Sequence, residues 1–189
     1  MKRIATTAAV LLALAAPLSA QAEDGPRASI GIGSYAVAIV NTDIISTTDT
    51  FSGGALVGTL PFDETIALRA HFYSLKGVQD GKGTILSSNN ITLTGADFAI
   101  LFGTNWAQGG NLYVGAGGFS EKFGNSTSGA SSNSFSGGMG VLGLGYNGGF
   151  LAIDFSVAIR SASKYDTDIF FGTGNTAASS ASLDLSFFF

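Results

Sequence analysis

The chain has no cysteine among its 189 residues, which excludes disulfides and thiolate metal sites. Proline is nearly absent, with only Pro17, Pro26 and Pro61. Charge is scarce as well. Asp, Glu, Lys and Arg together make 12% of the residues, against about 25% in an ordinary soluble domain. There is one histidine, so any histidine-based catalysis has a single candidate. Beyond the first 22 residues no run of roughly 18 apolar residues occurs, so no membrane-spanning helix is expected there.

What is present is apolar residue spread thinly. The chain is 46% hydrophobic and carries 27 glycines. Residues 1–22 have the form of a secretory signal peptide. Lys2 and Arg3 give a positive start, Ile4 to Leu18 an Ala/Leu-rich core, and Ala20-Gln21-Ala22 an A-x-A cleavage site. Cleavage there leaves 167 residues beginning at Glu23, with seven basic against 13 acidic residues and a net charge of −6. Nucleic acid is not a partner expected at that charge. An exported chain this apolar, lacking a helical span, fits a membrane barrel whose apolar residues occupy alternate strand positions.

The chain reads as eight strands near 27–40, 50–60, 65–76, 91–102, 111–123, 135–146, 150–161 and 179–189. The connections 61–64, 103–110 and 147–149 are short. Those at 41–49, 77–90, 124–134 and 162–178 are longer and rich in Gly, Ser, Thr, Asn and Asp. Short-long alternation is the pattern of an antiparallel up-and-down barrel, with tight turns on the periplasmic side and long loops outside. Pro26 precedes the first strand and Pro61 falls in a turn, as a closed ladder of donors requires.

Two aromatic girdles are expected. Phe62, Phe102, Trp106, Tyr113, Tyr146, Phe150, Phe187 and Phe189 mark the periplasmic ends, and Phe51, Phe72, Phe119, Phe123 and Phe135 the others. In the seventh strand Leu151, Ile153, Phe155, Val157 and Ile159 face lipid, while Asp154, Ser156 and Arg160 face the lumen. The third strand turns Arg69, His71 and Tyr73 inward, and the fourth Asp97. In the first strand Ile30 and Ile32 share one parity but Tyr35, Val37 and Ile39 the other, so a bulge near Gly33–Ser34 is expected. The sixth strand is too rich in glycine to assign.

Charges gather on the inward parity: Arg69, Asp97, Glu121, Asp154, Arg160 and Asp184, joined by His71. An eight-stranded barrel is just wide enough to be filled by side chains. These residues are expected to form a polar network that plugs it, with Arg69 paired to Asp97. His71 could in principle serve a lipid A-modifying barrel enzyme. Ser74, however, lies three residues on and points to the opposite face. No catalytic, cofactor-binding or metal-binding residue is assigned and no cofactor is expected. Gly115-Ala-Gly-Gly118 lacks the spacing of a phosphate loop. In the fourth long connection Tyr165, Ile169, Phe170 and Phe171 interrupt a polar segment; they are candidates for a surface contact, or else they extend the seventh or eighth strand or cap the barrel mouth.

The final strand alternates strictly: Leu183, Leu185, Phe187 and Phe189 on one face, Ser182, Asp184, Ser186 and Phe188 on the other. This aromatic end resembles the C-terminal assembly signal of bacterial outer-membrane barrels. With the leader and the loop alternation, it makes residues 23–189 similar in architecture to the small eight-stranded outer-membrane barrels, the group of outer-membrane protein X and the OmpA barrel domain. The resemblance implies an all-β transmembrane barrel in the bacterial outer membrane. Its implied partners are outer-membrane lipid, lipopolysaccharide and the barrel assembly machinery. The function implied is non-enzymatic: envelope integrity and surface contact through the loops, to an unspecified ligand. The alternatives are the lipid A-modifying enzyme and a narrow pore or carrier for small apolar solutes.

Overall fold

Strict alternation of side chains can bury only one face of each strand, and closure lets eight such strands share that buried face. The computed structural model describes residues 25–41, 47–78, 91–125, 133–161, 163, 165 and 175–189. They form a closed antiparallel barrel in which each strand pairs with its sequence neighbours and the last with the first. The strands are β1 (Ser29–Asn41), β2 (Thr47–Pro61), β3 (Ile66–Val78), β4 (Ile91–Gly103), β5 (Gly109–Asn125), β6 (Asn133–Asn147), β7 (Leu151–Arg160) and β8 (Thr176–Phe188). No helix among the described residues is long and apolar enough to cross a membrane. The leader at 1–22 lies outside the described residues.

The outer face is apolar and has no partner within the chain. Ile32, Leu56, Phe98, Val114, Leu144 and Phe155 are each between 44 and 64% exposed. A continuous exposed belt of this kind requires an apolar solvent around the barrel. At the short-turn end Phe62, Phe102, Tyr146, Phe150, Phe187 and Phe189 stand outward, as an aromatic girdle does. Of the remaining expected girdle residues, Phe72 also faces outward, and the others are corrected. Trp106 and Tyr113 are buried inside, and so are Phe51, Phe119, Phe123 and Phe135.

The expected bulge in the first strand is also absent. β1 runs in unbroken register against both β2 and β8. Ile30 and Ile32 face out while Tyr35, Val37 and Ile39 face in, because the lumen itself turns apolar toward the long connections. β6 alternates cleanly, with Phe135, Met139, Gly143 and Asn147 buried and Leu142, Leu144 and Tyr146 outward. Pro61 ends β2 opposite Ala67 instead of lying in the turn beyond. A strand end tolerates its missing donor.

The turn between β2 and β3 is held by Asp63. Its carboxylate accepts the backbone N–H groups of Thr65 and Ile66, each at 2.7 Å, and the Thr65 hydroxyl at 2.8 Å. These donors, the Thr65 hydroxyl foremost, hold the Asp63 carboxyl below its ordinary value of 3.8. The folded value is depressed. The contribution of these bonds is therefore present above the ordinary value and lost as pH falls through the folded one. An NMR titration should place Asp63 below 3.8, and Thr65→Val should raise it. An Asp63 that titrates normally in the parent would contradict this account.

Candidate functional site: the barrel lumen

From the short-turn end upward, the lumen is closed first by the β4–β5 turn. Trp106 folds into the mouth, donating its ring N–H to Thr65 O at 3.2 Å, while Asn147 Nδ2 donates to Trp106 O at 3.1 Å. The indole lies 5.2 Å from the Tyr113 ring and 5.6 Å from the Arg69 guanidinium. Arg69 makes a two-pronged contact with Asp154, at 2.6 and 3.1 Å, and donates to the Tyr113 hydroxyl at 2.6 Å. Tyr113 needs Gly143 across the pair β5–β6. A Cβ there would stand 2.6 Å from the ring carbon Cε2.

The expected pairing of Arg69 with Asp97 is not formed. The two share the lumen, but the register sets Asp97 opposite His71 and Ala99 opposite Arg69. Arg69 reaches across the barrel to β7 instead, and Asp97 turns toward Arg160.

His71 and Asp184 form the next layer, with His71 Nε2 at 3.0 Å from Asp184 Oδ2. Ser182 donates to the same carboxylate oxygen at 2.9 Å and shares a 2.9 Å hydrogen bond with Ser156. His71 is buried and its partner is an acid. Ser74 is exposed on the outer face. Ser182 meets the Asp184 carboxylate and not the imidazole, whose hydrogen bond among the described residues is to Asp184.

Arg160 is the hub above. Its guanidinium donates to Glu121 at 2.8 Å, to both Asp97 oxygens at 2.9 and 3.0 Å, and to the Tyr35 hydroxyl at 2.8 Å. Tyr73 donates to Glu121 at 2.8 Å. Tyr35 donates to Asp97, and its oxygen shares a 3.1 Å hydrogen bond with the Ser180 hydroxyl. The Tyr35 and Tyr73 rings stack at 4.6 Å. One buried cation thus faces two carboxylates and ties together β1, β3, β4, β5 and β7. Three charges removed from water require partners of this quality.

Above the hub the lumen becomes apolar. Val37, Ile39, Phe51, Leu75 and Leu93 are fully buried, and Phe119, Phe123 and Phe135 nearly so. Tyr165, from the segment after β7, closes this layer. It stacks on Phe119 at 6.1 Å, packs on Phe135 at 4.9 Å, and donates its hydroxyl to Glu121. Burial and the neighbouring Glu121 charge push the Tyr165 phenol above its ordinary value. Of the readings open for Tyr165, a surface contact or a cap on the barrel mouth, the side chain forms the inward cap. Ile169, Phe170 and Phe171 lie outside the described residues.

Among the described residues two small spaces are seen in the lumen. One lies between the Arg69 and Arg160 layers, the other beneath Arg69 beside Trp106 and Phe188, and each has room for about one water. Asp184 Oδ1 borders the lower one without a protein partner. Among the described residues no group of three or more His, Cys, Asp or Glu side chains is placed to hold a metal ion.

The sequence did not point to Tyr35, Tyr73, Tyr113 and Trp106 as members of the network. Their parity could have done so, since Tyr35 and Tyr73 stand at inward positions beside charged layers. On β8, Leu183, Leu185 and Phe187 face outward, and Phe189 beyond the strand end is also exposed.

No protein-family model matches the chain, and no curated protein does. Solved structures do. Ail, the attachment invasion locus protein of Yersinia pestis, is 17% identical with a TM-score of 0.53, over 87% of this chain and 99% of Ail. Ail is also solved in complex with the heparin analogue sucrose octasulfate. The N-terminal β-barrel domain of Pseudomonas aeruginosa OprF is 14% identical with a TM-score of 0.50, over 87% of this chain and 99% of that domain. The outer membrane protein OprG from the same organism is 11% identical with a TM-score of 0.54, over 87% of this chain and 97% of OprG. At these identities the likeness is one of fold: an eight-stranded barrel of the outer-membrane type.

Proposed function

We propose that the chain is a closed, non-enzymatic barrel of the bacterial outer membrane, which strengthens the envelope and offers its long connections for surface contact. The observation that carries this reading is the filled lumen. Two ion-paired layers, the Trp106 cap and the aromatic layer under Tyr165 fill the bore, and the two spaces seen among the described residues each have room for about one water. In this reading residues 1–22 are removed on export. The short turns face the periplasm. The outward row Leu183, Leu185, Phe187 and Phe189 is what the assembly machinery recognises. The complex of Ail with a sulfated sugar analogue supports surface contact as the role to test first.

Two measurements separate this reading from its rivals. Single-channel recording in planar bilayers should give no steady conductance, and lipid A from cells overproducing the protein should keep its mass. Steady large conductance would favour a pore. Loss of an acyl chain that depends on His71 would favour a lipid A-modifying enzyme.

A further inference from the structure

The outer face of the strands is almost free of charge, and the exceptions are of one sign. Every acidic residue on a described strand points into the lumen: Asp49, Asp97, Glu121, Asp154 and Asp184 are all buried. Among the described residues, only two charged side chains project outward from the strands. They are Lys76 on β3 and Lys122 on β5, and both are exposed. Among the described residues, the outer face of the strands therefore presents only positive charge toward the long-connection side.

The two lysines are neighbours. β4 alone separates them, and the register aligns Ser74, Thr94 and Lys122 in one outward row and Lys76, Thr92 and Gly124 in the next. At ordinary strand spacing this sets them about 10 Å apart across the wall and about 7 Å along it, close enough for two extended side chains to meet over one headgroup. Beneath them, toward the short turns, Phe72 and Phe98 pack edge to face at 5.8 Å. On this wall the residues outward above the rings are mostly small or polar, Ser74, Thr92, Thr94, Ala96 and Ser120 with the two lysines, and Val78 stands outward at the end of β3. An aromatic pair topped by hydroxyls and cations is the composition of a membrane interface facing anionic headgroups.

From this arrangement we infer that the β3–β5 wall binds the phosphorylated headgroup of a lipid in the leaflet on the long-connection side. Lys76 and Lys122 would contact the phosphate and Phe72 and Phe98 the acyl chains. The inference rests on the membrane reading above and adds to it a fixed lipid site on one wall.

The test uses the full chain folded in zwitterionic detergent micelles, with native mass spectrometry counting retained diphosphoryl lipid A against phosphatidylcholine. The parent should retain lipid A in preference. Lys76→Gln with Lys122→Gln should lower that retention about tenfold, and Lys76→Arg with Lys122→Arg should keep it. Both side chains are exposed, so the heat-dependent gel shift of the folded barrel should be unchanged in every form. Equal retention by the parent and the Gln pair, with a normal gel shift, overturns the site alone. A parent that neither folds in micelles nor shows the shift overturns the membrane reading and the site with it.

Discussion

Replacing Arg160 with Met is expected to be among the most damaging single changes in the lumen. The guanidinium is the cation shared by Asp97 and Glu121, and the side chains of all three are almost fully buried. Removing it leaves two carboxylates facing each other in a filled lumen, with room for about one water beside Asp97. Breaking a buried pair in this way costs roughly 3–5 kcal/mol. Unfolding by urea, followed by the gel mobility of folded and unfolded forms or by fluorescence of Trp106, should shift to clearly lower denaturant. Neutralising the stranded acids, as Arg160→Met with Asp97→Asn and Glu121→Gln, should recover much of the loss. Arg160→Lys should not, because one ammonium cannot fork to both acids and to Tyr35 as the guanidinium does. An Arg160→Met barrel that unfolds with the parent would show the hub to be dispensable.

The same hub explains what the sequence made legible. Strands whose outward half is apolar and whose inward half is polar can be assigned from alternation alone. β7, with Ile153, Phe155 and Val157 against Asp154, Ser156 and Arg160, is such a strand, and β8 is another. The rule fails where the lumen itself is apolar. Above Arg160 the inward residues are Val37, Ile39, Phe51 and Phe123, while the outward ones are Ala38, Ser52 and Lys122. The pattern inverts partway up the wall, so an apolar residue no longer means lipid. That inversion suggested a bulge in β1 and a full second girdle; β1 runs without a bulge, and of that girdle only Phe72 faces outward. Phe119 and Phe123 stand two residues either side of Glu121. Once Glu121 is assigned to the lumen, period two sends both rings inward with it. The ion pairs were less accessible to sequence reasoning. Inside a narrow barrel a long side chain chooses partners across the bore as well as along the wall, as Arg69 on β3 does with Asp154 on β7.

Phe155→Arg should keep the barrel from accumulating in the outer membrane. Phe155 faces outward midway along β7, between Leu144 on β6 and Leu183 on β8. It is 44% exposed with no protein group over it. An arginine there cannot turn into the lumen, since period two fixes its face and a one-residue slip would turn the whole apolar row inward. Near the middle of the apolar belt a lipid-facing arginine costs about 2–4 kcal/mol, and the neighbouring Leu144 and Leu183 offer it no partner. The folded, heat-shifting form should fall sharply in purified outer membranes, with degradation products in the periplasm. Phe155→Leu, which keeps the position apolar, should accumulate like the parent. Equal outer-membrane levels of the Arg variant and the parent, both running as folded barrels before heating, would mean that this face does not meet lipid. The membrane reading would then have to be given up.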